Sequence, residues 1–382
     1  MFRNARAAAA GALAAAASAL ALAAAGGPAL AAGGWTPTSI SGAAGDNVAL
    51  NGAFARTSTD AWVVGQQFGP AGQPAPPPAS YHWNGSTWSL VPVPALGAAG
   101  GLTAVSASSA ADAWAVGFEV LAPRHRQAVL EHWNGSAWSR DTTDAVATSN
   151  ATLTGVVDLS ATNAWAVAAG GGSQGLAHWN GTAWSFAAFP DANFSPSAGQ
   201  AISASSASDV WVVGSTFNAA TFASIPEAEH FNGTSWSTVP LAQPGGSATI
   251  GAVTAISPTN AWAAGEATGG TAPVGGGTLI EHWNGASWSV VPSPAPGFEP
   301  EISGIAAGSA SDVIAVGETL PTENGGPEQD VILRFNGTSW SNDTAGGSIQ
   351  GFLLAAAAAP GGAEEFAVGN SSGSTGVILS HP

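Results

Sequence analysis

The chain has 382 residues, with 24 Asp and Glu against seven Arg, and it contains no Lys and no Cys. That balance excludes counterion-release binding to nucleic acid and attraction to anionic bilayers. The missing thiols exclude disulfides, cysteine lipidation and thiol chemistry.

The first 31 residues read as a secretory signal peptide. Arg3 and Arg6 form a basic start, residues 7–25 an Ala/Leu run, and Ala29-Leu30-Ala31 a small-residue cleavage site. Cleavage would leave residues 32–382 as one domain, secreted (extracellular or cell-wall associated), with no membrane insertion; an uncleaved membrane anchor is the alternative reading of the same segment. Gly34-Trp35-Thr36-Pro37 then looks like an outer strand whose partner lies elsewhere.

From there the sequence repeats. All sixteen tryptophans fall in three columns: Trp62, Trp114, Trp165, Trp211 and Trp262 in runs such as DAWVVG, Trp83, Trp133, Trp179 and Trp283 in HWNG, and Trp35, Trp88, Trp138, Trp184, Trp236, Trp288 and Trp340 after that turn. The last column has spacings of 53, 50, 46, 52, 52 and 52, a period that points to propeller blades. In residues 102–142 strand a is 102–107, b is 113–118, c is 128–133 and d is 136–141, with a variable loop between b and c. Strand b is apolar at nearly every position, as a strand buried on both faces requires. The Asn-Gly pairs at Asn84, Asn134, Asn180, Asn232, Asn284 and Asn336 predict two-residue type I′ turns between c and d. A buried Trp removes roughly 200 Å² from water, worth up to about 5 kcal/mol, so the indoles read as glue between blades.

The b strands open with Asp60, Asp112, Asn163, Asp209, Asn260, Asp312 and Glu365, which counts seven blades. The c–d hairpins number six, because residues 377–381 read as a c strand and the chain stops at the turn. The expected fold is an all-β seven-bladed propeller of four-stranded antiparallel blades, the ring closed by an N-terminal strand that completes the last blade.

Two columns look chemical. His82, His132, His178, His230, His282 and His381 share one, with Arg334 as its seventh member. One residue per blade does not converge on a metal ion, so these read as strand-end rings that cover apolar surface and donate hydrogen bonds. The Asp/Asn column after Ser/Thr-rich turns reads as acceptors for turn N–H groups. There is no H-E-x-x-H, P-loop or calcium-loop pattern, and no cofactor is expected. Carboxylate pairs such as Glu227/Glu229 and Glu299/Glu301 are candidates for glycosidase or lyase chemistry.

The repeat length and its Gly and Trp punctuation resemble kelch repeats of the galactose-oxidase type. The run Asn284-Gly285-Ala286-Ser287-Trp288 is similar to the end of the sialidase Asp-box, with Asn for Asp and no spacer. DVWVVG is similar to tectonin-like lectin repeats. These resemblances imply a propeller and carry no catalytic residue over. A sialidase site implies an arginine cluster and a paired tyrosine, whereas Tyr81 is the single tyrosine. Galactose-oxidase copper chemistry implies a Tyr–Cys pair.

Chain direction puts the short a–b and c–d turns on one face and the variable b–c and d–a connections on the other. Residues 66–80, 118–127, 186–199 and 215–228 make that second face the expected binding surface. Arg124, Arg126, Phe194, Phe222 and Phe298 are the candidate ligand-binding residues. The expected function is a secreted, monomeric, non-catalytic module for a cell-surface glycan or protein, with an extracellular glycosidase- or lyase-like enzyme and a purely structural surface protein as alternatives.

Overall fold

The b strands carry aliphatic and aromatic side chains on both faces, so each sheet has to be sandwiched between two others. The computed structural model describes residues 34–382 except 71–72, 124, 170–174, 197–200, 243, 269–276, 298, 321–327, 344–348, 363 and 372–374. It shows seven antiparallel blades. Blade 1 is built from Asn47–Thr57, Asp60–Phe68, Ala79–Trp83 and Trp88–Leu90 (strands a to d), and blade 2 from Gly100–Ser109, Asp112–Ala122, His125–Trp133 and Trp138–Asp141. Blade 3 is Thr152–Ser160, Asn163–Ala169, Gly175–Trp179 and Trp184–Ala187. In blade 4 strand a comes in two pieces, Ser195–Pro196 and Ile202–Ser206, followed by Asp209–Asn218, Ala223–Phe231 and Trp236–Pro240. Blade 5 is Ser247–Ser257, Asn260–Thr268, Gly277–Trp283 and Trp288–Val290; blade 6 is Pro300–Ser309, Asp312–Thr319, Gln329–Phe335 and Trp340–Asn342. Blade 7 holds Gly351–Ala358, Glu365–Ser371 and Gly376–His381, and beside the last of these runs Thr36–Ile40, with Thr36 opposite Ser380 and Ile40 opposite Gly376. Among the described residues the only helix is one 3-10 turn at Ala43–Gly45.

No single core exists; seven buried clusters lie one per seam between neighbouring blades. In six blades the b-strand aromatic wedges between the c and d aromatics of the next blade. Trp62 meets Trp133 and Trp138, Trp114 meets Trp179 and Trp184, and Phe366 meets Trp83 and Trp88. Across six seams the d-strand indole stands edge-on to that wedge, with centroids 5.0–5.4 Å apart and planes 75–87° apart. That T-shaped geometry favours the aromatic quadrupole and adds about 0.5–1.5 kcal/mol to area burial.

The seam between blades 6 and 7 is built differently. Ile314 stands where the other blades place an aromatic, and Trp35 is the only indole in that cluster. Arg334 fills the gap: its Nε binds Asp343 at 2.9 Å, its Nη1 binds Asp312 at 2.6 Å, and Nη1 and Nη2 both reach Glu365 of blade 7. Trp35 Nε1 donates to Asp343 at 3.2 Å, drawing the first described strand into the same network.

A recurring glycine explains the end of the b motif. In blade 2 strand a bulges between Leu102 and Ala104, directly opposite Gly117. A Cβ at Gly117 would run into the Gly101 carbonyl, and Gly65, Gly265, Gly317 and Gly369 face the same obstruction in their blades.

The Asn-Gly turns differ from expectation. Trp83 pairs with Trp88, so the loop has four residues, and the asparagines do not adopt positive φ. Each Asn Oδ1 instead accepts the N–H groups two and three residues on at 2.9–3.1 Å, while the Gly sits at φ +88 to +94°. The side chain supplies the turn's acceptor, so a type I′ backbone is not needed.

Candidate functional site

The two faces of the disc are chemically distinct. On the a–b/c–d face, c-strand indoles donate to a–b turn carbonyls, as in Trp83 to Ser58 at 3.0 Å and Trp133 to Ala110 at 3.1 Å. Beside them each column histidine lies on its own blade's b-strand indole, with centroids 4.0–4.6 Å apart in five blades. Its Nε2 meets Asp60, Asp112, Asn163, Asp209 or Asn260 at 2.7–3.0 Å. The acidic column therefore serves the histidines. The turn N–H groups go to Ser and Thr hydroxyls, such as Ala111 to Ser109, which corrects the expected role of the column. Burial would raise the Asp60 pKa, but hydrogen bonds from His82 and Arg56 outweigh it and hold the carboxyl below its ordinary value. Burial pushes His178 and His282, which face Asn163 and Asn260, below the usual imidazole value. Arg334 and His381 continue the column against Asp312 and Glu365.

The opposite face is held by buried side chains that latch the d–a connections. Gln67 accepts from Ala43 N at 2.8 Å, Glu119 from Ala98 N at 2.7 Å, Glu281 from Ala242 N at 2.7 Å and Asp330 from Ile349 N at 3.0 Å. Glu229 accepts from Asp191 N at 3.3 Å, and Tyr81 donates to Ser41 O at 2.9 Å. Burial pushes Glu281 up to about 7 and Asp330 up to about 6, and raises Glu229. Glu131 occupies the equivalent column in blade 2, is fully buried and has neither oxygen hydrogen-bonded; burial takes it to about 8 against a partial pull from Arg140.

From this face two hairpins project. The segments expected as loops at 118–127 and 215–228 are strand extensions. In blade 2 the b–c ladder runs past Gly117 to Ala122 opposite His125, and in blade 4 past Gly214 to Asn218 opposite Ala223. Ser224 N donates to Ser247 Oγ at 3.1 Å, bracing the second hairpin on blade 5. Its tip carries Phe217 and Phe222, 56% and 79% exposed, in edge-to-face contact at 6.3 Å. Phe222 has φ +55°, a left-handed backbone that a bulky side chain rarely adopts. Leu121 is exposed at the blade 2 tip, where the Arg126 guanidinium lies 4.3 Å over the Phe118 ring.

The sequence-derived site residues separate accordingly. Phe222 and Arg126 stand on the two hairpins. Phe194 is only 2% exposed and packs 4.8 Å from Phe189 in the seam between blades 3 and 4, so it belongs to the core. Its sequence context, a short polar loop, gave no sign of that burial. Arg124 and Phe298 lie outside the described residues. Phe217 was passed over because its exposure follows from a strand extension that the sequence reads as a loop. The pairs Glu227/Glu229 and Glu299/Glu301 belong to blades 4 and 6, with blade 5 between them, and Glu229 is fully buried as a latch.

Down the ring axis runs a cavity of about 230 Å³ lined by the a strands, with small residues such as Ala53, Ala104, Gly155 and Ala306 and no charged side chain. Among the described residues no three His, Asp or Glu side chains gather where they could hold a metal ion.

No family model and no curated protein sequence matches the chain. Solved structures do. YCF48 bound to D1 peptide is similar over 93% of this chain and 98% of its own, with TM-score 0.59 and 12% identity. A polysaccharide lyase of the PL25 ulvan lyase family matches over 87% of this chain and 93% of its own, with TM-score 0.54 and 11% identity. The GH74 xyloglucanase of Xanthomonas campestris matches over 88% of this chain and 54% of its own, with TM-score 0.52 and 14% identity. At these identities the likeness establishes the seven-bladed propeller and nothing finer, so kelch, sialidase and tectonin repeat types gain no support from it.

Proposed function

We propose that the protein is a secreted, non-catalytic propeller that binds a glycan or protein partner through its hairpin face. The observation that supports this best is Phe222. A phenyl ring held 79% exposed on a left-handed backbone is disfavoured twice, by strain and by hydration. Such a ring at the end of a braced hairpin suits recognition. Arg124, Arg126, Phe222 and Phe298 are the proposed partner-facing residues, and Phe217 replaces the buried Phe194. The similar structures include a peptide-bound protein and two polysaccharide-degrading enzymes, so propeller neighbours use both ligand classes. The Asn-Gly-x-x-Trp turn, similar in sequence to the sialidase Asp-box, works here as a hairpin fastener.

A glycan array and a panel of purified cell-surface proteins, probed with the wild type and with Phe217→Ser/Phe222→Gly, test the reading. Binding by the wild type that falls in the double variant at unchanged melting temperature supports it. Equal binding by the two proteins, or turnover of a bound sugar, overturns it.

A further inference from the structure

Charge is distributed unevenly along this chain. Between Arg140 and Arg334 there are sixteen Asp and Glu and no Lys or Arg, so blades 3, 4 and 5 and most of blade 6 carry acid alone. The arginines described elsewhere are mostly neutralised: Arg56 by Asp60, Arg140 by Glu119, and Arg334 by three carboxylates. The Phe217/Phe222 tip rises from the middle of the acidic stretch. Strand direction brings Asp191, Glu227, Glu266, Glu301, Glu318 and Glu328 to the same face as that tip, at the b–c and d–a ends of blades 4 to 6 and their connections. Burial, and then the charge of Asp191, raise the Glu227 pKa. An apolar anchor surrounded by one sign of charge is complementary to an apolar pocket rimmed by the opposite sign.

We infer that the partner of the blade 4 hairpin is a protein surface with an apolar pocket that takes Phe217 and Phe222 and a rim of Lys and Arg that meets the acidic face of blades 4 to 6. This rests on the binding-module reading and narrows it. The acidic field would steer encounter and suppress anionic partners, while the two phenyl rings would set residence time. A nucleic acid or an acidic glycan would meet repulsion across this whole sector.

The test uses the full mature chain and three synthetic amphipathic helices: one with a Leu face and a Lys rim, one with the same Leu face and a Glu rim, and one with Lys but no Leu face. Binding is followed by fluorescence anisotropy at low and high salt, with the wild type and with Phe217→Ser/Phe222→Gly. Glycine relieves the positive φ at position 222, so the variant retains the fold, which its melting temperature verifies. The Leu/Lys helix is expected to bind the wild type and to weaken about tenfold or more in the variant and at high salt, while the Leu/Glu helix stays unbound. Four results overturn the inference: equal binding of the Leu/Lys helix to wild type and variant, preference for the Leu/Glu helix, Leu-free Lys helix binding as tight as that of the Leu/Lys helix, or tip-dependent glycan binding on the array. Preference for the Leu/Glu helix, or tip-dependent glycan binding on the array, would leave the binding-module reading standing while this one falls. Loss of tip dependence for every ligand, array and panel included, would remove both.

Discussion

Replacing Glu131 by Gln is expected to stabilise the protein at neutral and alkaline pH and to flatten its pH dependence. Glu131 has no solvent exposure, and burial moves its carboxyl from an ordinary 4.5 to about 8. The folded state therefore holds a proton that the unfolded chain has released. For an acid with a raised pKa, stability is complete below the unfolded value and drains away as pH climbs through the folded one. Between about pH 5 and pH 8 this single group removes on the order of 3 kcal/mol. Asp158 and Glu281, both at about 7, and Asp330, at about 6, act in the same direction. Asp60 and Asp209, held below their ordinary value, act oppositely and only in more acidic solution. Urea unfolding of wild type and Glu131→Gln, followed by tryptophan emission across that pH range, reads the effect. The variant should match the wild type near pH 5 and exceed it by about 3 kcal/mol near pH 8. Parallel pH profiles would refute the assignment of a neutral, buried acid at this position.

Four further outcomes follow from the seams and turns. Gly117→Ala should cost about 2–3 kcal/mol in urea unfolding, because the new methyl meets the Gly101 carbonyl at the strand a bulge. Arg334→Met should cost about 3 kcal/mol and abolish much of the salt sensitivity of the melting temperature, since it strands the buried Glu365 carboxylate. Phe222→Gly should raise stability by about 1 kcal/mol while weakening partner binding, as calorimetry and the array together would show. Mass spectrometry of protein exported from a bacterial host should find a mature chain starting at Ala32, and further trimming through residue 40 should lower the melting temperature sharply by removing Thr36–Ile40 from blade 7.

The columns made the fold legible from sequence. Because each blade repeats every 46 to 53 residues, the wedge of Trp114 against Trp179 and Trp184 is announced by spacing alone. What went astray was local in a different sense. Asn-Gly fits both a two-residue type I′ turn and a four-residue loop closed by the Asn side chain, and only the Trp83–Trp88 pairing separates them. The Asp column looked like turn chemistry because Ser109 and its counterparts, two residues upstream of each turn N–H, hide the fact that they already satisfy it. Glu131, Glu229 and Glu281 are buried by blade stacking, a long-range packing that no local pattern around them announces. Chain direction sorts the two faces from sequence, whereas the exposure of individual side chains on them is not legible there. Phe194 and Phe222 look alike in sequence, and only the extension of Asp209–Asn218 and Ala223–Phe231 decides which of them meets solvent.

Six joints of this disc are wedged by an aromatic ring, and the seventh adds an ionic clasp to its apolar packing. Heat strengthens apolar joints relative to cold, whereas added salt loosens the guanidinium clasp of Arg334 first. Breathing of the ring therefore has a preferred mouth, between blades 6 and 7, where proteases would nick and amide deuterons would enter soonest. A designer wanting a tougher disc would begin there, by setting an indole at position 314.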